Sequence, residues 1–165
     1  TPPAVSSAAS DVYKRQGPFA AGCKGAAMVA NADNDSCKAL FEFGMELGIA
    51  FQLVDDLLDI RGDERMGKPR GADVYEGKMT LPLILALQNA TEREQACLSS
   101  AIRNRSASEA TRVVEIVNNS GALELTRKSA KDEIQRARDT LGHIEPSVYK
   151  SHLETLTEYS LKRLR

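Results

Sequence analysis

Gly48-Ile49-Ala50-Phe51-Gln52-Leu53-Val54-Asp55-Asp56-Leu57-Leu58-Asp59-Ile60 is the stretch on which the rest of the chain turns. As a helix it puts Asp55 and Asp59 one turn apart on a shared face. Gln52, three residues ahead of Asp55 and four ahead of Asp56, joins the same stripe. Ile49, Phe51, Leu53, Val54, Leu57, Leu58 and Ile60 fill the other faces. A helix apolar nearly all round belongs inside a protein, and ionised carboxylates there are costly unless something cationic faces them. Arg or Lys from a neighbouring element is one source. A hard divalent cation such as Mg²⁺, carrying a phosphate group, is the other.

Working outward, the helix is expected to open at Asp35 or Ser36 and to end near Arg61-Gly62. The stripe therefore sits at the C-terminal end, where the helix dipole gives carboxylates no help. Next comes Gly62 to Thr80, dense in glycine and charge and interrupted by Pro69, which reads as a long loop. It carries Lys68, Arg70 and Lys78 directly after the acidic stripe. A solvated surface loop is the plain alternative, but the neighbouring acids favour a functional one. Thr80 with Pro82 opens a short apolar helix, and Thr91-Glu-Arg-Glu94 matches a capping box. Ser106 and Ser108 offer caps for a helix around Glu109 to Val117, and Ala122 to Leu141 reads as a charged amphipathic helix closed by Gly142. Pro146 starts the last helix. No alternating strand pattern competes, so the expected fold is all-α.

Composition narrows the function classes. With 42% hydrophobic and 27% charged residues the chain fits a globular domain, and 165 residues suffice for one core. A net charge of −1 argues against a general nucleic-acid binder. Cys23, Cys37 and Cys97 are scattered and odd in number, which excludes a disulfide framework or zinc cluster and suggests a reducing, cytoplasmic compartment. No run is long and apolar enough for a transmembrane helix, and the start lacks the apolar core of a secretory signal. Residues 1–17 have a low-complexity look and are expected to be disordered or non-native, with the folded part spanning 18–165.

The stripe and the loop together resemble the trans-isoprenyl (polyprenyl) diphosphate synthases. Phe51-Gln52-Leu-Val-Asp55-Asp56-Leu-Leu-Asp59 is similar to that family's second aspartate-rich motif. Met66-Gly67-Lys68-Pro69 and Asp73-Val-Tyr-Glu76-Gly77-Lys78-Met-Thr80-Leu81-Pro82 match the segment that follows it. An isolated D-D-x-x-D is a weak signal, whereas its union with both neighbours at this spacing is specific. The later helices are similar to those of long-chain, octaprenyl-type members of quinone biosynthesis.

The resemblance implies an isoprenoid-synthase helical bundle, of which residues 18–165 form the C-terminal part and the N-terminal helices are missing. It implies Mg²⁺-dependent condensation of isopentenyl diphosphate with an allylic diphosphate. By the matching motif, Asp55, Asp56 and Asp59 are the metal and catalytic residues. Gln52, Lys68 and Lys78 hold the diphosphate, Lys68 with a catalytic share. Phe51 lies near the allylic carbons, or else is an ordinary core residue. A homodimer is expected when full length. This sequence carries one D-D-x-x-D where the family has two, so the chain alone is expected to have little activity. Competing expectations are a non-catalytic synthase-like subunit and a terpene synthase or cyclase on the same fold.

Overall fold

The computed structural model describes residues 4–62 and 71–164, and among these every regular element is helical. The elements are α1 (Ala4–Val29), α2 (Asn34–Arg61), α3 (Ala72–Tyr75), α4 (Leu81–Asn89), α5 (Glu92–Asn104), α6 (Ala110–Asn119), α7 (Ala122–Thr140) and α8 (Val148–Arg163), with 3₁₀ turns at Ala107–Glu109 and Leu141–His143. The expected all-α class is the one observed. The chain divides into two compact units, one built on Asp55–Lys128, the other on Ser10–Val54 with Ser129–Arg165. α2 runs through the division.

In the first unit Ile60, Val74, Leu83, Leu98, Val113 and Val117 form a closed apolar core, each at most 1% exposed. Burying each such side chain is worth about 1.5–3 kcal/mol. This core anchors the last turn of α2 and the short α3, and so fixes the ground on which the stripe stands. In the second unit Phe43 and Leu47 of α2 pack with Ala137 and Leu141, at the end of α7.

The second unit also joins α1 to α2 by direct backbone approach. A Cβ placed on Gly44 would lie 2.6 Å from the Phe19 carbonyl oxygen and 2.7 Å from the Ala20 Cα. One turn later a Cβ on Gly48 would meet the Gln16 Cα at 3.2 Å. Only glycine allows two helices to touch there.

Helix ends followed the sequence in part. Thr91 and Glu94 make the expected capping box, each side chain bonding the other's backbone N–H. Thr80 takes the N-cap position of α4, but its hydroxyl caps nothing and lies buried without a hydrogen-bond partner. Pro82 in the first turn, its φ already helical, starts the helix instead. Ser106 and Ser108 bond each other at 3.0 Å around a 3₁₀ turn rather than capping α6. α8 begins at Val148, two residues after Pro146, because the Ser147 hydroxyl accepts from the Lys150 N–H at 3.1 Å. α1 crosses the boundary drawn between residues 17 and 18 and holds Pro18 inside it.

Candidate functional site

Phe51, Gln52, Asp55, Asp56 and Asp59 all lie on α2 in its last three turns. Asp56 is buried at 5% exposure, while Asp55 and Asp59 are partly exposed. The return of the loop is built on Asp59. Its backbone carbonyl accepts from the Gly71 N–H at 3.0 Å, and its Oδ2 accepts from the Asp73 N–H at 3.2 Å. Gly71 takes a left-handed φ of 71°, which turns the chain into α3. Lys78, beyond α3, donates to Asp73 Oδ1 at 3.0 Å and pairs with Glu76 Oε2 at 2.5 Å. Asp59, Asp73 and Lys78 thus form one linked group within the first unit.

Burial, and then the nearby Asp73 carboxylate, push Asp59 up to about 6, only partly offset by the Asp73 and Ala72 N–H groups and by Lys78. Burial works against the charged form of Lys78, but hydrogen bonds to Glu76 and Asp73 outweigh it and hold its pKa above the usual lysine range. The charged form of Asp59 is thus only partly stabilised among the described residues. Hard carboxylate oxygens are the donor set a hard divalent cation prefers. Among the described residues no three His, Cys, Asp or Glu side chains form a group that could hold a metal ion unaided.

Phe51 is 37% exposed. Its ring lies 5.8 Å from that of Phe19, and the Arg163 guanidinium sits 4.9 Å from its centroid. The ring face already accommodates a cation. Gln52 is partly buried one turn ahead of the aspartates, and Lys68 lies outside the described residues. Sequence reasoning placed Asp73 and Glu76 in the matching segment without giving them a role, and it overlooked Arg163. Asp73 stands five residues ahead of Lys78, a spacing with no local meaning until α3 closes it. Arg163 is remote in sequence and carried no signal.

An all-helical chain whose acidic helix end is stitched to a lysine-bearing loop has the fold of the prenyl diphosphate synthases, and comparison with known proteins makes this specific. The polyprenyl synthetase family model matches residues 12–119, and the chain belongs to that family. The all-trans-nonaprenyl-diphosphate synthase (geranyl-diphosphate specific) of Rhodobacter capsulatus is 36% identical over 148 residues, 89% of this chain and 45% of that protein. A polyprenyl synthase of Caulobacter crescentus, solved with calcium and isoprenyl diphosphate, superposes with a TM-score of 0.81 at 36% identity, over 89% of this chain and 46% of that one. A geranylgeranyl pyrophosphate synthase of Corynebacterium glutamicum, solved with isoprenyl diphosphate and magnesium, gives 0.74 at 30% identity, over 82% and 40%. The chain spans less than half the length of these relatives.

Proposed function

We propose that this chain supplies one side of the active site of a Mg²⁺-dependent prenyltransferase, which condenses isopentenyl diphosphate with an allylic diphosphate into a long-chain product for quinone side chains. The observation that carries the reading is the group on Asp59: an acidic helix end, short of positive charge, bonded to the loop that presents Lys78. Asp55 and Asp59, helped by Asp56, would hold the metal. When bound, the metal supplies Lewis-acid neutralisation of the diphosphate's charge. Lys78 and Gln52, with Lys68 of the matching motif, would hold the diphosphate. A lysine ammonium suits this task, since it is a compact charge that imposes no planar geometry. Phe51 offers an exposed aromatic face near which an allylic cation can develop. That the face already carries Arg163 supports its affinity for positive charge.

The reading extends to a folded part spanning residues 18–165, a homodimer of the whole protein and a cytoplasmic location. Among the described residues no helix is long and apolar enough to cross a membrane. The synthases named above motivate the enzyme reading over a helper subunit, as does the intact aspartate triad. The test is a chimaera in which the N-terminal segment of the Rhodobacter capsulatus synthase precedes residue 18. Incorporation of radiolabelled isopentenyl diphosphate is expected in the chimaera and to be nearly absent from the chain alone. Asp55→Ala should lower it by on the order of 10²-fold. Full activity in that variant would sink the assignment of the stripe.

A further inference from the structure

We infer that Asp73 is a positioning residue, one that holds the Lys78 ammonium at the edge of the aspartate stripe, ready for a diphosphate. The inference rests on the functional reading above and gives a role to Asp73, a residue of the matching segment to which the resemblance assigned none. A lysine on a glycine-rich loop has four flexible bonds, and immobilising it costs rotamer entropy that a ligand would otherwise have to overcome. Asp73 removes that freedom beforehand. Its Oδ1 accepts from Lys78 Nζ at 3.0 Å, and its carbonyl accepts from the Lys78 N–H at 2.9 Å, so both ends of the lysine are held by one residue.

Asp73 is itself fixed to the stripe. Its N–H donates to Asp59 Oδ2 at 3.2 Å, and the loop before it is tied by Gly71 N–H to the Asp59 carbonyl at 3.0 Å. The lysine is therefore registered against Asp59 through these four hydrogen bonds. Glu76 also pairs with Lys78, at 2.5 Å, but its side chain is 50% exposed against 16% for Asp73. The buried partner has the stronger hold, because water screens the other. An ammonium has three donors. Two face Asp73 and Glu76, and the third is the one a phosphate oxygen can take.

The experiment uses this chain and a farnesyl thiolodiphosphate probe, with binding measured by calorimetry with and without Mg²⁺. Side-chain NMR of the Lys78 ammonium runs in parallel. Lys78→Ala should weaken Mg²⁺-dependent binding tenfold or more, and Asp73→Ala by about tenfold. Asp73→Asn, which keeps an accepting oxygen, should fall between, and Glu76→Gln should stay within about twofold. In Asp73→Ala the Lys78 titration should move to lower pH, a change that a merely structural role would not produce. The Asp73→Ala/Lys78→Ala double variant should bind no more weakly than Lys78→Ala. Wild-type binding in Asp73→Ala, with Lys78→Ala impaired, overturns this inference alone. Full additivity of the two substitutions also overturns it, since Asp73 would then act on the ligand independently. Absent binding in the wild-type chain, or unimpaired binding in Lys78→Ala, overturns the functional reading and this inference with it.

Discussion

At the residue scale, the clearest electrostatic feature outside the candidate site is a pair of acids shared between two helices of the second unit. Glu46 of α2 hydrogen-bonds Glu133 of α7, and Arg136 bridges both, lying 3.5 Å from Glu46. That hydrogen bond, burial and the Glu133 charge push Glu46 up to about 7, against a smaller lowering by Arg136. Two carboxylates in contact require a proton between them. The unfolded glutamate titrates at 4.5, so between pH 4.5 and about 7 the folded state holds the extra proton. The stabilisation is complete below pH 4.5 and is lost as pH rises to about 7, with a size on the order of 2 kcal/mol once solvent screening reduces the full value of the shift. Urea unfolding at pH 5 and pH 8 checks this. Wild type should lose stability at the higher pH, whereas Glu46→Gln should show a shallower slope, the remainder coming from Asp59, and should be the more stable of the two at pH 8. A slope undiminished in Glu46→Gln would show that Glu46 is not responsible. Asp73 illustrates the limit of sequence at this scale. The matching segment contains Asp73, but its hydrogen bond to Lys78 depends on how α3 turns the chain and emerges only from the fold.

Among the elements, the α1–α2 crossing makes the sharpest demand. Gly44 lies against the backbone of Phe19 and Ala20, and a methyl group would sit 2.6 Å from a carbonyl oxygen that no rotamer change can move. Gly44→Ala should therefore force the two helices apart and cost roughly 1–3 kcal/mol, in line with other over-packed contacts. Gly25→Ala is the matched control, since nothing lies within 4 Å of its Cβ position, and it should be neutral or slightly stabilising. Thermal denaturation of both variants decides the matter, and equal melting temperatures would refute the close approach. Which elements the sequence made legible follows from the same physics. The α2 helix and the Thr91–Glu94 box rest on interactions within four residues, and both appeared as read. α3 was absorbed into the loop because its four residues gain their stability from Val74 in the core of the first unit, not from local pattern. The Thr80 and Ser106 caps were misread because a cap requires a side-chain rotamer, and burial or a neighbouring hydroxyl took precedence.

For the whole molecule, the all-α class was legible because helical periodicity and capping signals recur along the chain while strand patterns do not. The partition into two units was not, since it depends on which apolar faces meet. The stripe was legible as an electrostatic deficit, and that deficit makes a prediction about the intact chain. Metal and diphosphate each bring the charge that the other lacks: the acids repel a bare diphosphate, and Asp55 with Asp59 gives a lone cation too few ligands to hold it tightly. Either alone should therefore leave the melting temperature nearly unchanged. Together they bind the folded state and stabilise it by mass action, by about 2.7 kcal/mol at a hundredfold excess over Kd. For a chain of this size that is a rise of roughly 5–10 °C. Scanning fluorimetry with MgCl₂, with farnesyl thiolodiphosphate and with both should show a shift only in the last case. A chelator should erase it, and Asp59→Asn should reduce it to a degree or two. An equal shift from the diphosphate without metal would mean that lysines alone bind the ligand, and that the acidic stripe serves some other cation.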